Sequence, residues 1–125
     1  MDWTRDGTHW PHRDHSRFVQ AAGLRFHVQV FPGPAVDAPV TLLLHGTGAS
    51  THSWRGLAPL LARHHTVVVP DLPGHAFTGM PSNGAGSAQL SLPGMARALA
   101  ALLAQLQLKP TRLVGHSAGA AVAVR

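Results

Sequence analysis

Leu113-Val114-Gly115-His116-Ser117-Ala118-Gly119-Ala120-Ala121-Val122 places Gly-x-Ser-x-Gly between a short apolar β-type run and an Ala/Val-rich run that reads as the start of a helix. A serine on such a sharp strand-to-helix turn needs small residues two before and two after it, so that strand and helix can pass close by. Gly115 and Gly119 supply that room. The turn also sets Ser117 at the N-terminus of the following helix, where unpaired N–H groups favour negative charge on reacting oxygens. Ser117 is therefore the candidate nucleophile. Three fixed positions in five residues recur by chance in a chain with 13 glycines, so the upstream segments must decide.

Working outward, Thr111 to Val114 reads as the strand that delivers Ser117. Before it, Leu92 to Leu106 is an Ala- and Leu-rich helix, with Ser91 as N-cap and Pro93 in the first turn. Thr78 to Ser87 has the Gly, Ser, Pro and Asn content of a surface loop. His65-Thr66-Val67-Val68-Val69-Pro70 is a β-branched run ending in the turn Asp71 to Ala76. Pro39 to Leu44 is a nearly continuous apolar run, as expected of a strand buried on both faces of a parallel sheet, and it leads directly into His45-Gly46-Thr47-Gly48. Between these two runs, Ser53 to Arg63 has helical spacing, with Ser53 as N-cap and Pro59 as a kink or early-turn residue. Phe18 to Ala21 and Leu24 to Phe31 read as an antiparallel hairpin joined through Ala22-Gly23, the second strand alternating apolar with polar. Alternating strands and helices after this hairpin build an α/β domain with a mostly parallel sheet covered on both faces.

Composition narrows the function. No apolar run approaches the roughly 18 residues of a membrane-spanning helix, and the N-terminus lacks the apolar segment of a signal peptide, so a soluble cytoplasmic protein is expected. Zero Cys excludes disulfides and thiolate metal sites. The formal charge is +5, but the ten Lys and Arg are scattered, which argues against a nucleic-acid partner. The dense polar patch His9-Trp10-Pro11-His12-Arg13-Asp14-His15 reads as a solvated N-terminal arm. Neither that patch nor His64/His65 has accompanying Cys or a helical His-Glu motif, so no metal is expected.

Three separated pieces, His45-Gly46-Thr47-Gly48, Asp71-Leu72-Pro73-Gly74-His75 and Gly115-His116-Ser117-Ala118-Gly119, together resemble the N-terminal half of an α/β-hydrolase. More narrowly, Trp10-Pro11, Ser16-Arg17-Phe18-Val19, His27-Val28-Gln29, His45 to Arg55 and Ser91 to Ala96 are similar to the magnesium-chelatase accessory hydrolases of bacteriochlorophyll biosynthesis. The resemblance implies Ser117 as nucleophile and the backbone N–H groups of Thr47 and Ala118 as an oxyanion hole, with His45, Gly46, Gly115, His116 and Gly119 as structural parts of the motifs. It implies no cofactor, a small-molecule ester or tetrapyrrole as ligand, and magnesium chelatase as a possible partner. In this superfamily the acid and the His follow the nucleophile, so both are expected downstream of Arg125. The expected organisation is an arm over 1–17 and the N-terminal part of an α/β-hydrolase domain over 18–125, a fragment inactive by itself. A non-catalytic protein that binds a tetrapyrrole or the chelatase is the alternative.

Overall fold

The apolar runs pair into one sheet. The computed structural model describes residues 3–45, 50–72, 77–78, 92–110 and 112–115. Its strands are β1 (Ser16–Ala21), β2 (Leu24–Phe31), β3 (Val40–Leu44), β4 (Thr66–Pro70) and β5 (Arg112–Gly115), in the spatial order β1-β2-β4-β3-β5. β1 and β2 pair antiparallel from Ser16↔Gln29 to Ala21↔Leu24, leaving Ala22 and Gly23 as a two-residue turn. Both have positive φ, 53° and 76°, which matches the right-handed twist of the hairpin and which a glycine adopts without strain. β2 also pairs antiparallel with β4, while β3 runs parallel to β4 on one side and to β5 on the other. The sheet is thus mixed, with the hairpin at one edge and the three parallel strands β4, β3 and β5 beside it.

Side chains alternate across the pleat and create two interiors. Phe26, Val28, Val30, Leu42, Leu44 and Val68 pack against Met95, Ala98, Leu99 and Leu102 of the long helix Leu92–Leu106. The opposite face holds Leu43, Val67, Val69 and Phe31, covered by Ala58 and Leu61 and by Trp54. No helix among the described residues is long and apolar enough to cross a membrane.

Two expectations need correction. The helix read over 53–63 is split into a 3-10 turn, Thr51–Trp54, and a short α-helix, Leu57–Leu61. The cap is Ser50 rather than Ser53: its side chain accepts the His52 N–H at 3.1 Å. Pro59 then falls in the first turn of the second piece, where a missing N–H costs no helical bond. The second correction concerns the N-terminal arm, which is docked, although His9, Arg13 and Asp14 themselves are exposed. A short helix, Trp3–Asp6, presents the Trp3 ring to Phe18, His27 and Phe77 with centroids 4.8–5.4 Å apart. Trp10 donates its indole N–H to Thr51 Oγ1 at 2.9 Å, and Gln29 Nε2 donates to the Pro11 carbonyl at 2.7 Å. Gly7 lies so close to Trp3 that a Cβ there would stand 2.3 Å from the ring. Aromatic burial therefore outweighs the polarity of the patch.

Candidate active site

Parallel α/β sheets bind ligands beyond the carboxyl ends of their strands, because the loops there converge while helices cover both faces. In this sheet Leu44 pairs with Gly115 and Leu42 with Val68, so β3, β4 and β5 end at a common edge. The stretch leading to Thr47 starts from β3, Asp71 follows β4, and the stretch leading to Ser117 starts from β5.

Of the residues expected in the three motif pieces, the structure describes His45, Asp71, Leu72 and Gly115. His45 directly follows β3, is 1% exposed, and accepts the Leu72 N–H on Nε2 at 2.9 Å. Gly115 closes β5, half-buried opposite Leu44. Gly46, Thr47, His116, Ser117, Ala118 and Gly119 lie outside the described residues, as do Ser91 and most of the loop read over 78–87.

A set of buried polar residues, quoted within the motif pieces but given no site role there, joins the strand ends. Asp71, which heads the second motif piece but was given no role beyond its turn, is fully buried and accepts three hydrogen bonds. Its Oδ1 takes the Thr51 N–H at 2.8 Å; its Oδ2 takes the His27 Nδ1–H at 2.6 Å and the Phe77 N–H at 3.2 Å. Its backbone is tied as well: Asp71 N–H donates to the His27 carbonyl at 2.9 Å, and Thr78 Oγ1 donates to the Asp71 carbonyl at 2.7 Å while accepting the His27 N–H at 3.0 Å. A buried carboxylate is tolerable only with such donors, since each bond replaces water lost on burial. On its far side the His27 ring bonds Ser16 Oγ through Nε2 at 2.8 Å, and Gln29 Nε2 also donates to that hydroxyl, at 3.2 Å.

Ser16, His27 and Asp71 thus form a hydrogen-bonded Ser–His–Asp chain, although in the order Ser, His, Asp along the sequence. Gln29, which bonds the Ser16 hydroxyl, also holds the Pro11 and His12 carbonyls of the docked arm, so the chain knits arm, hairpin and β4 together. The available signal was weak: a lone His inside an apolar strand, and one carboxylate at the end of Val67-Val68-Val69-Pro70. Among the described residues, no group of three or more His, Asp or Glu could hold a metal ion.

Comparison with known proteins identifies the fold family. A family model described as alpha/beta hydrolase fold matches residues 39–125. The chain is 40% identical over 116 residues to the magnesium-chelatase 30 kDa subunit of Rhodobacter capsulatus, covering 93% of this chain and 39% of that protein. It is 37% identical over 83 residues to a fluoroacetate dehalogenase of Burkholderia sp., covering 66% of this chain and 27% of the relative. Among solved structures, an epoxide hydrolase from Vigna radiata superposes with a TM-score of 0.71 at 30% identity, over 86% of this chain and 33% of that one. The chain therefore spans well under half the length of these relatives.

Proposed function

This chain belongs to the α/β-hydrolase fold family, and on that premise we propose that Ser117 is the nucleophile for hydrolysis of an ester or related acyl bond. The observation that carries the reading is the end of β5 at Gly115, two residues before Ser117 and beside the end of β3. Strand, glycine and serine stand in the spacing that a nucleophile turn requires. The relatives' names range over a chelatase subunit, a dehalogenase and an epoxide hydrolase, so the fold alone does not choose the chemistry. The residue at the turn does: a serine there attacks acyl carbon.

In this mechanism Ser117 Oγ attacks the acyl carbonyl carbon and passes its proton to a His base. The carbonyl oxygen becomes an oxyanion met by the backbone N–H groups of Thr47 and Ala118. Collapse expels the alcohol, which takes the proton, and leaves an acyl-serine; a water then repeats the attack, releases the acid and restores the hydroxyl. All ten His of this chain precede Ser117, so by the family's order none of them fills the base's place. The reaction needs no metal or cofactor. Ser117→Ala in the natural protein is expected to lower ester turnover by about 10⁴-fold or more. Unchanged turnover overturns the proposal.

The similarity to the Rhodobacter chelatase subunit favours a second reading: an accessory role in magnesium insertion for bacteriochlorophyll, in which the fold binds a tetrapyrrole or the chelatase without catalysis. Quenching of Trp fluorescence by protoporphyrin, together with normal pigment in a Ser117→Ala strain, selects that reading. Loss of pigment in the same strain selects hydrolysis.

A further inference from the structure

We propose that Asp71 is the positioning residue of the segment between β3 and the 3-10 turn, its carboxylate holding the Thr51 end while the adjoining Leu72 N–H holds the His45 end, so that a backbone N–H between them can meet an oxyanion. The inference rests on the assignment of the Thr47 N–H as an oxyanion donor, and it concerns what sets that donor in place.

The loop leaves the sheet at His45 and ends at Thr51, and both ends are referenced to one dipeptide, Asp71-Leu72. At the first end, His45 Nε2 accepts the Leu72 N–H at 2.9 Å; at the second, the Thr51 N–H donates to Asp71 Oδ1 at 2.8 Å. The carboxylate cannot swivel away from Thr51, because Oδ2 is held by His27 Nδ1–H at 2.6 Å and by the Phe77 N–H. His27 is itself fixed by Ser16 on its far nitrogen, and Trp10 holds the Thr51 hydroxyl from the arm side. Asp71, His27, His45 and Thr51 are all 1% exposed or less, so water does not compete for these bonds.

A carboxylate is needed for this task. Three N–H donors converge on two oxygens, and an amide at the same position has one acceptor oxygen and an NH₂ group that would face a donor. Oxyanion donors act by being fixed in advance, and a misplacement of about 1 Å far from the reacting atoms costs up to about 10²-fold in rate. Asp71 itself touches neither substrate nor Ser117 in this scheme. Its effect reaches the reaction through the backbone of the loop.

The test uses ester kinetics of the natural protein carrying Thr51→Pro, Thr51→Val or Asp71→Asn, with Ser117→Ala as reference. Thr51→Pro deletes the N–H that Asp71 holds, yet proline suits the first position of a helical turn, and Ser50 before it is already extended (φ −165°, ψ −174°). Thr51→Val keeps the N–H and loses only the hydroxyl. Thr51→Pro and Asp71→Asn are expected to lower kcat by about 10- to 100-fold with KM within about twofold, whereas Thr51→Val stays within about threefold of wild type. Inhibition by a boronate, whose tetrahedral adduct carries the negative oxygen, is expected to weaken in step with kcat. If Asp71→Asn does not fold, the proline–valine contrast decides by itself. Equal kcat for Thr51→Pro and Thr51→Val, or a loss confined to KM, overturns the positioning role while a dead Ser117→Ala leaves the nucleophile standing. Full turnover in Ser117→Ala overturns both.

Discussion

The two faces of β2 are built on opposite principles. Phe26, Val28 and Val30 point into an apolar cluster completed by Val68, Met95, Leu99 and Leu102. The residues between them, His27 and Gln29, are just as buried, at 0% and 2% exposure, but are surrounded by Ser16, Asp71 and the arm carbonyls. Burial on the first face is non-directional and tolerates many shapes of similar volume. Hydrogen bonds on the second face fix direction as well as distance. One face holds the sheet to its helix; the other holds loops at defined places beyond the carboxyl ends of the strands.

Paired substitutions can break or sharpen this contrast. Asp71→Ala strands two backbone N–H groups and the His27 ring in a dry interior and should cost about 3–5 kcal/mol of stability, measured by urea denaturation of the natural protein. Leu102→Ala, on the apolar face and fully buried, should cost about 3 kcal/mol through the cavity it leaves. A loss below about 1 kcal/mol for Asp71→Ala would return that residue to an ordinary turn position and dissolve the distinction.

The smallest expected change lies off both faces. Gln107 follows the long helix with a φ of 58°; its N–H bonds the Ala104 carbonyl, and the Leu108 N–H bonds that of Leu103. That pattern usually has glycine at the left-handed position, so Gln107→Gly should stabilise by about 0.5–1 kcal/mol without altering turnover. A change in turnover would mean that the helix end communicates with the site.

Much of the first face was legible in the sequence. The bounds Leu24–Phe31 and Leu92–Leu106 follow from local periodicity and agree with the elements observed, because apolar spacing directly reports a face in need of cover. β1 begins two residues earlier than its apolar run, at Ser16, since Ser16 and Arg17 extend by pairing with Gln29 and Val28 rather than by their own propensity. The second face was not legible. Alternation of polar residues in β2 implies one wet side, and periodicity carries no information about an arm that later covers it. His27 and Asp71 are 44 positions apart, and nothing local to either one announces the other. The glycine–serine turn was readable as a motif, with its strand end at Gly115 one residue beyond the Val114 expected.

The central claim is that Ser117 is the reactive hydroxyl. It has a competitor within the molecule, because Ser16 is the serine that the described structure joins to a His and an Asp. Labelling of the natural protein with a fluorophosphonate, followed by mapping of the modified peptide by mass spectrometry, separates the two. The account predicts a single adduct on Ser117 that disappears in Ser117→Ala. An adduct on Ser16, or none in a protein that still turns over esters, would contradict it.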